Sequence, residues 1–182
     1  MLHLNLNPFP NLETERLTIH ELTPENAGDV FLLRSNPIAM KFIGKPLLQS
    51  VDDAEELIEA YRFNVRKNIA VNWGITLKSE NNGLVGTIGF HRIEKEHFRA
   101  EIGYILHPDQ WYKGIMNEAL AKVLNYGFSV LKLHSIEAKV NPDNRQSGKL
   151  LQKNGFIKEG YFKQNFYSDG QFYDTEIYSL IR

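Results

Sequence analysis

Apolar positions change period several times along the chain, and the changes mark out the elements. The strongest helical pattern starts after Gly114, where Ile115, Ala119, Leu120, Val123, Leu124, Gly127, Phe128 and Leu131 fall on one helix face and the row beside it. Arg16 to Leu22 (RLTIHEL) alternates as a strand. Thr23-Pro24-Glu25 then offers an N-cap, a first-turn proline and a first-turn acid for a helix running through Arg34. Ser50 to Asp53 reads as a capping-box start to a second helix that ends near Asn68, with Ala54, Leu57, Ile58, Tyr61 and Val65 as its apolar stripe.

Beyond that helix the period shortens. Ala70 to Leu77, Leu84 to Ile93 and Ala100 to Leu106 read as three strands of an antiparallel meander, joined by turns at Ser79 to Gly83 and Glu94 to His97. The helix after Gly114 follows, then a strand over Ser135 to Val140, a helix from Asn144 to Asn154, and a final pair of strands around Ser168-Asp169-Gly170. The predicted order is β-α-α-β-β-β-α-β-α-β-β, an α/β (mixed α+β) single domain over residues 1–182 with no internal repeat. Asn36 to Gln49 is the one irregular stretch, and mobility is expected there.

Composition narrows the function classes. The 182 residues are 42% hydrophobic and 24% charged, an ordinary globular balance. Lys+Arg 21 against Asp+Glu 22 leaves a formal net charge of -1, so no overall field draws the chain to nucleic acid or an anionic membrane. There is no cysteine, which removes disulfides, thiolate metal sites and a cysteine nucleophile. The opening MLHLNLNPFPNL is not a basic leader followed by an apolar run, and the expectation is a soluble, unexported cytoplasmic protein, monomer or homodimer.

The candidate site lies over residues 101 to 117. A helix N-terminus presents free N–H groups and a partial positive charge, which suits an anion. Here the loop HPDQWYKG leads from a strand into such a helix, and Lys113 adds charge. Neither GxxxxGK[ST] nor GxGxxG occurs in the chain. On this local pattern alone, Gly114 either opens an ordinary core helix or clears space for a ligand.

The segment WYKGIMNEAL resembles the acetyl-CoA pyrophosphate loop of the GNAT N-acetyltransferase superfamily, in the version found in ribosomal-protein serine/alanine N-terminal acetyltransferases. AEIGYIL (100–106), VNPDNRQSGKLLQKNGF (140–156) and ETERLTIHELTPENA (13–27) extend the similarity over nearly the whole chain. Trp111 and Met116 depart from the usual loop pattern. The resemblance implies about seven mainly antiparallel strands and about four helices, splayed between the fourth and fifth strands where acetyl-CoA enters. It also implies direct acetyl transfer to a primary amine, most plausibly a protein N-terminal α-amino group, without a metal. A small amine (polyamine, amino acid or aminoglycoside) and a non-catalytic CoA-binding domain are the alternatives.

Residue roles follow from the same resemblance. Backbone groups of Ile105, Leu106 and His107 hold the pantetheine arm, and Tyr112, Lys113, Gly114, Ile115, Met116 and Asn117 hold the pyrophosphate. Asn144 bonds the arm. Glu101, the only acid on its strand, is the general base through water, or else an edge carboxylate paired with Arg99 or Arg92. Ser147 stands near the sulfur as proton donor, or water takes that role, because the tyrosine that many members carry seven residues after the asparagine is here Leu151. An α-amino group, with pKa about 7.7–8.0 against about 10.4 for lysine, needs little help to lose its proton. The acceptor groove is expected at Asn36 to Gln49, His91 and Tyr167 to Tyr173. His91 and His97, on either side of one turn, read as solvated or substrate-facing rather than as metal ligands. The terminal aromatics (Tyr161, Phe162, Phe166, Tyr167, Phe172, Tyr173, Tyr178) read as core and cross-strand packing, not as a nucleic-acid platform.

Overall fold

A computed structural model describes residues 1–79 and 83–182. The strands are β1 (Leu12–Glu13), β2 (Leu17–Glu21), β3 (Val71–Leu77), β4 (Leu84–Glu94), β5 (Arg99–Leu106), β6 (Ser135–Val140), β7 (Ile157–Ser168) and β8 (Gln171–Ile181). The helices are α1 (Ala27–Arg34), α2 (Pro37–Met40), α3 (Val51–Arg66), α4 (Ile115–Ser129) and α5 (Arg145–Lys153). All eight strands form one sheet in the order β1-β2-β3-β4-β5-β6-β8-β7. Every pairing is antiparallel except β5 with β6.

Local chemistry explains the element ends. Ser50 Oγ accepts the Asp53 N–H at 3.2 Å while Asp53 Oδ2 accepts the Ser50 and Gln49 N–H groups at 3.0 and 2.7 Å, a complete capping box for α3. The β7–β8 turn takes positive φ at both Asp169 (49°) and Gly170 (79°), the backbone a tight hairpin with right-handed twist requires. Thr23-Pro24 begins a 3-10 turn (Pro24–Asn26), and the α-helix proper starts at Ala27.

Three expectations are corrected. An eighth strand exists because Leu12–Glu13 pairs with Ile19 and Thr18, too short a segment to show a period. A fifth helix, α2, occupies the stretch expected to be irregular. Asn36 caps it by accepting the Ile38 and Ala39 N–H groups at 2.9 and 3.1 Å, and Met40 is buried. The terminal aromatics, Tyr178 apart, are not core: Tyr161, Phe162, Phe166, Tyr167 and Phe172 are exposed, with only Tyr167 and Phe172 paired ring to ring at 4.9 Å. The expected turn at Ser79 to Gly83 lies, at residues 80–82, outside the described residues.

The core sits on both faces of the β2–β5 half. On one face α4 supplies Ala119, Leu120 and Val123 against Ile19, Ile75, Phe90 and Ile136. Trp73 is its centre, edge-on to Phe9, Phe90 and Tyr126 at 6.3, 6.1 and 5.7 Å, with its indole N–H donated to the Pro10 carbonyl at 2.7 Å. On the other face α1 and α3 pack Val30, Leu33, Ala54 and Ile58 against Leu84 and Ile105. No helix among the described residues is long and apolar enough to cross a membrane.

Candidate active site

β5 and β6 pair only at Arg99↔Ser135, Ala100↔Ile136 and Glu101↔Glu137. Beyond Glu101, β5 bonds β4 alone and β6 bonds β8 alone, so the sheet opens where the expected splay lies. A β-bulge lies beside the opening: the β4–β5 register jumps from Phe90↔Ile102 to Arg92↔Glu101, leaving His91 as the extra residue. A cleft of about 1090 Å³ fills the gap, lined by β5, β6, the start of α5, the 40–48 loop and the β7–β8 hairpin.

Glu101 faces this cleft beside Gly103 and Ile105, as strand alternation predicts. Its partner is neither Arg99 nor Arg92, which both pair with Glu94 at 2.7 and 3.1 Å. Instead Lys139 reaches across the opening and donates to Glu101 Oε2 at 2.7 Å, with Glu137 Oε1 at 3.6 Å. Partial burial opposes the Lys139 charge, but Glu101 and Glu137 together outweigh it and raise its pKa. Glu101 Oε1 has no hydrogen-bond partner among the described residues.

His91, thrown out of the ladder by the bulge, lies over Gly103. A Cβ at Gly103 would stand 2.4 Å from His91 Nε2, so only glycine admits the ring. The protein packed around the cleft, then the positive charge of Arg34 and more weakly of Lys45, lower the pKa of this solvent-accessible imidazole against the opposing pull of Glu101. His91 is thus held neutral at neutral pH. His97 sits in the 3-10 turn after β4 and does not line the cleft.

On the opposite wall Asn144 caps α5, its Oδ1 accepting the Ser147 N–H at 3.2 Å. The Ser147 hydroxyl lies 2.8 Å from the Tyr104 hydroxyl. Position 151 is Leu, and the tyrosine hydroxyl beside Ser147 comes from β5. Burial raises the Tyr104 pKa to about 12, so it stays protonated and can donate. Beneath α5, Gly148 leaves room for the Tyr178 hydroxyl, which a Cβ would approach at 2.8 Å.

The loop before α4 lies beyond the cleft. Gly114 has φ 77° and φ is 62° at Tyr112, and no side chain caps the helix. The first helical bond runs from the Glu118 N–H to the Gly114 carbonyl at 3.1 Å. The N–H groups of Ile115, Met116 and Asn117 precede it and remain without a partner among the described residues, a cradle for phosphate oxygens. Ile115 and Met116 turn their side chains into the core, so Met116 does not crowd the helix start. Asn117 accepts from Asn154 at 3.1 Å. Lys113 donates to Gln110 at 3.1 Å, and Tyr112 is exposed. Two backbone groups at the strand end are already engaged: the His107 N–H with the Val85 carbonyl at 2.8 Å, and the Leu106 carbonyl with the Trp111 indole at 2.9 Å.

The loop is braced from outside. Arg16 donates to the Lys113 carbonyl at 3.0 Å and to Glu118 Oε2 at 2.7 Å, and Glu118 Oε1 accepts the Arg16 N–H at 3.0 Å. Sequence reasoning missed Arg16, Tyr104 and Lys139, since each acts on a residue far away in the chain. The bulge at His91 left one trace in the sequence, a histidine breaking the apolar run of β4.

Residues 16–157 match the acetyltransferase (GNAT) domain family. An uncharacterized N-acetyltransferase of Bacillus subtilis, YoaA, is 38% identical over 174 residues, covering 96% of this chain and 98% of its own. The ribosomal-protein-serine acetyltransferase of Escherichia coli is 30% identical over 134 residues, 74% of this chain and 73% of its own. Among solved structures, an acetyltransferase of the GNAT family from Bacillus anthracis superposes with a TM-score of 0.84 at 29% identity, covering 94% of this chain and 98% of that one. With the matched domain, the split sheet and the uncapped, glycine-led helix in agreement, the chain belongs to the GNAT family of N-acetyltransferases and is an acyltransferase that uses acetyl-CoA.

Proposed function

We propose that the enzyme transfers acetyl directly from acetyl-CoA to a protein N-terminal α-amino group. The observation that carries the reading is the convergence, where β5 and β6 part, of a carboxylate on one wall and a hydroxyl pair on the other. Glu101 Oε1 takes the amine proton through a water molecule while Lys139 holds Oε2 in place. The neutral amine attacks the thioester carbonyl, the C–S bond breaks, the proton lost by the nitrogen passes through water to Glu101, and the thiolate takes a proton from Ser147 that Tyr104 replaces and then regains from water as Glu101 gives its own up. Backbone amides on the unpaired edge of β5 stabilise the oxyanion. Asn144, the β5 edge and the α4 N-terminus bind pantetheine and pyrophosphate. The cleft, about 1090 Å³ beneath the 40–48 loop and the hairpin, is large enough to admit a chain end.

The test is acetylation of a peptide with a free N-terminus and an internal lysine, located by mass spectrometry. Acetyl on the α-amine alone is expected. Equal modification of the lysine, or of an N-terminally blocked peptide, would overturn the reading.

A further inference from the structure

The charges of the acceptor side do not balance locally. Arg34, at the end of α1, lines the cleft half-buried, donating to the Tyr61 hydroxyl at 2.6 Å and weakly to the Met40 sulfur at 3.8 Å. It has no carboxylate within ion-pair distance among the described residues, and neither have Lys41 and Lys45 on the same wall. The acids of the cleft are mostly engaged elsewhere. Glu101 holds Lys139, Asp53 caps α3, and Asp174 accepts from the Tyr161 hydroxyl and the Gln164 N–H. Only Asp169, at the hairpin tip with its neighbour Ser168 as sole partner, is left against three cations.

Arg34, Lys41 and Lys45 line the same cleft as Glu101 and His91, whose imidazole lies over Gly103. A half-buried guanidinium without a counter-ion keeps donors free for an anion, and its planar fork suits a carboxylate. Resting on the N-acetyltransferase reading above, we infer that the acceptor carries a carboxylate within a few bonds of its amine, and that Arg34, assisted by Lys45, binds it. The carboxylate belongs either to an acidic residue at the start of a peptide or to a free amino acid. A polyamine, cationic along its length, would bring repulsion to the same wall.

The experiment measures kcat/KM with acetyl-CoA on peptides that begin with Asp, Asn or Lys and are otherwise identical, on free aspartate, and on spermidine. The Asp peptide should exceed its Asn isostere by about tenfold, the worth of one well-placed ion pair. In Arg34→Gln that ratio should fall to about two, with Arg34→Lys recovering part of it. Lys45→Gln, on an exposed loop, should lower the ratio about twofold and serves if the Arg34 variants fold poorly. Faster turnover of free aspartate than of the Asp peptide would assign the carboxylate to an amino acid. Asn and Asp peptides handled alike, or spermidine preferred, would overturn the inference while leaving the transferase reading intact. No acetylation of any acceptor would overturn both.

Discussion

Two glycines with left-handed backbones, Gly114 (φ 77°) and Gly44 (φ 62°), serve the two ends of the ligand-binding region, and their surroundings differ. A Cβ at Gly114 would meet nothing closer than the Arg16 guanidinium at 3.5 Å. A Cβ at Gly44 would lie 2.4 Å from Phe166 Cζ, because the β7–β8 hairpin folds over the cleft and rests that ring on the loop. Gly114 is needed for conformation alone; Gly44 is needed for conformation and for contact. The end proposed for the cofactor is made of backbone groups that secondary structure positions. The acceptor end is made of side chains that meet only when distant segments pack.

Substitutions can break this contrast, and the chemistry at the splay should respond most. Glu101→Gln should lower kcat by about a hundredfold while the acetyl-CoA Kd changes little, since general-base catalysis contributes that much and Glu101 lies on the acceptor side. A thiol-release assay beside calorimetry checks both halves; an unchanged kcat would reduce Glu101 to an ion-pair residue for Lys139.

Gly44→Ala comes next. Left-handed strain should cost about 1–2 kcal/mol of stability, and displacement of the Phe166 ring should raise the acceptor KM several-fold. Adding Phe166→Ala should leave the stability loss in place, because the strain belongs to the backbone. If the double variant regains wild-type stability, contact rather than conformation fixes this glycine.

Gly114→Ala should show the same backbone strain without the contact. Acetyl-CoA should bind about tenfold more weakly, as about 1.4 kcal/mol corresponds to one decade, with the acceptor KM unchanged. Arg16→Met should weaken acetyl-CoA about threefold by releasing the Lys113 carbonyl, a modest effect because the Arg16 side chain is half-exposed.

The smallest effects at neutral pH are those of titration. His91 has a lowered pKa in the fold, so the unfolded chain binds the proton more readily, and stability should fall as pH drops below about 6.5. Tyr104 and Tyr178 are raised to about 12, so stability should be lost as pH rises above about 10 toward that value. Urea unfolding across pH, with His91→Gln and Tyr104→Phe each flattening its own arm, tests both signs.

Legibility in the sequence followed the same division. The helix start at Gly114, the capping box at Ser50 and the Asp169-Gly170 turn were readable because each depends on neighbours along the chain. β1 and α2 were missed because two and four residues cannot show a period. The hairpin aromatics were misread for a different reason. Alternation shows that a strand has two faces, but the hairpin closes the edge of the sheet, where its aromatic side chains stay exposed.

The sequence by itself determined the split between helices and strands, the glycine-led helix start and the family, since hydrophobic period, caps and the ordered motifs are local quantities. Only the tertiary structure decided that Glu101 pairs with Lys139, that Tyr104 supplies the hydroxyl beside Ser147, and that Arg34 faces the cleft without a carboxylate. The physical reason is that an ion pair or a hydrogen bond acts over a few ångströms of space, and which side chains come that close is set by sheet order, a one-residue bulge and the divergence of two strands.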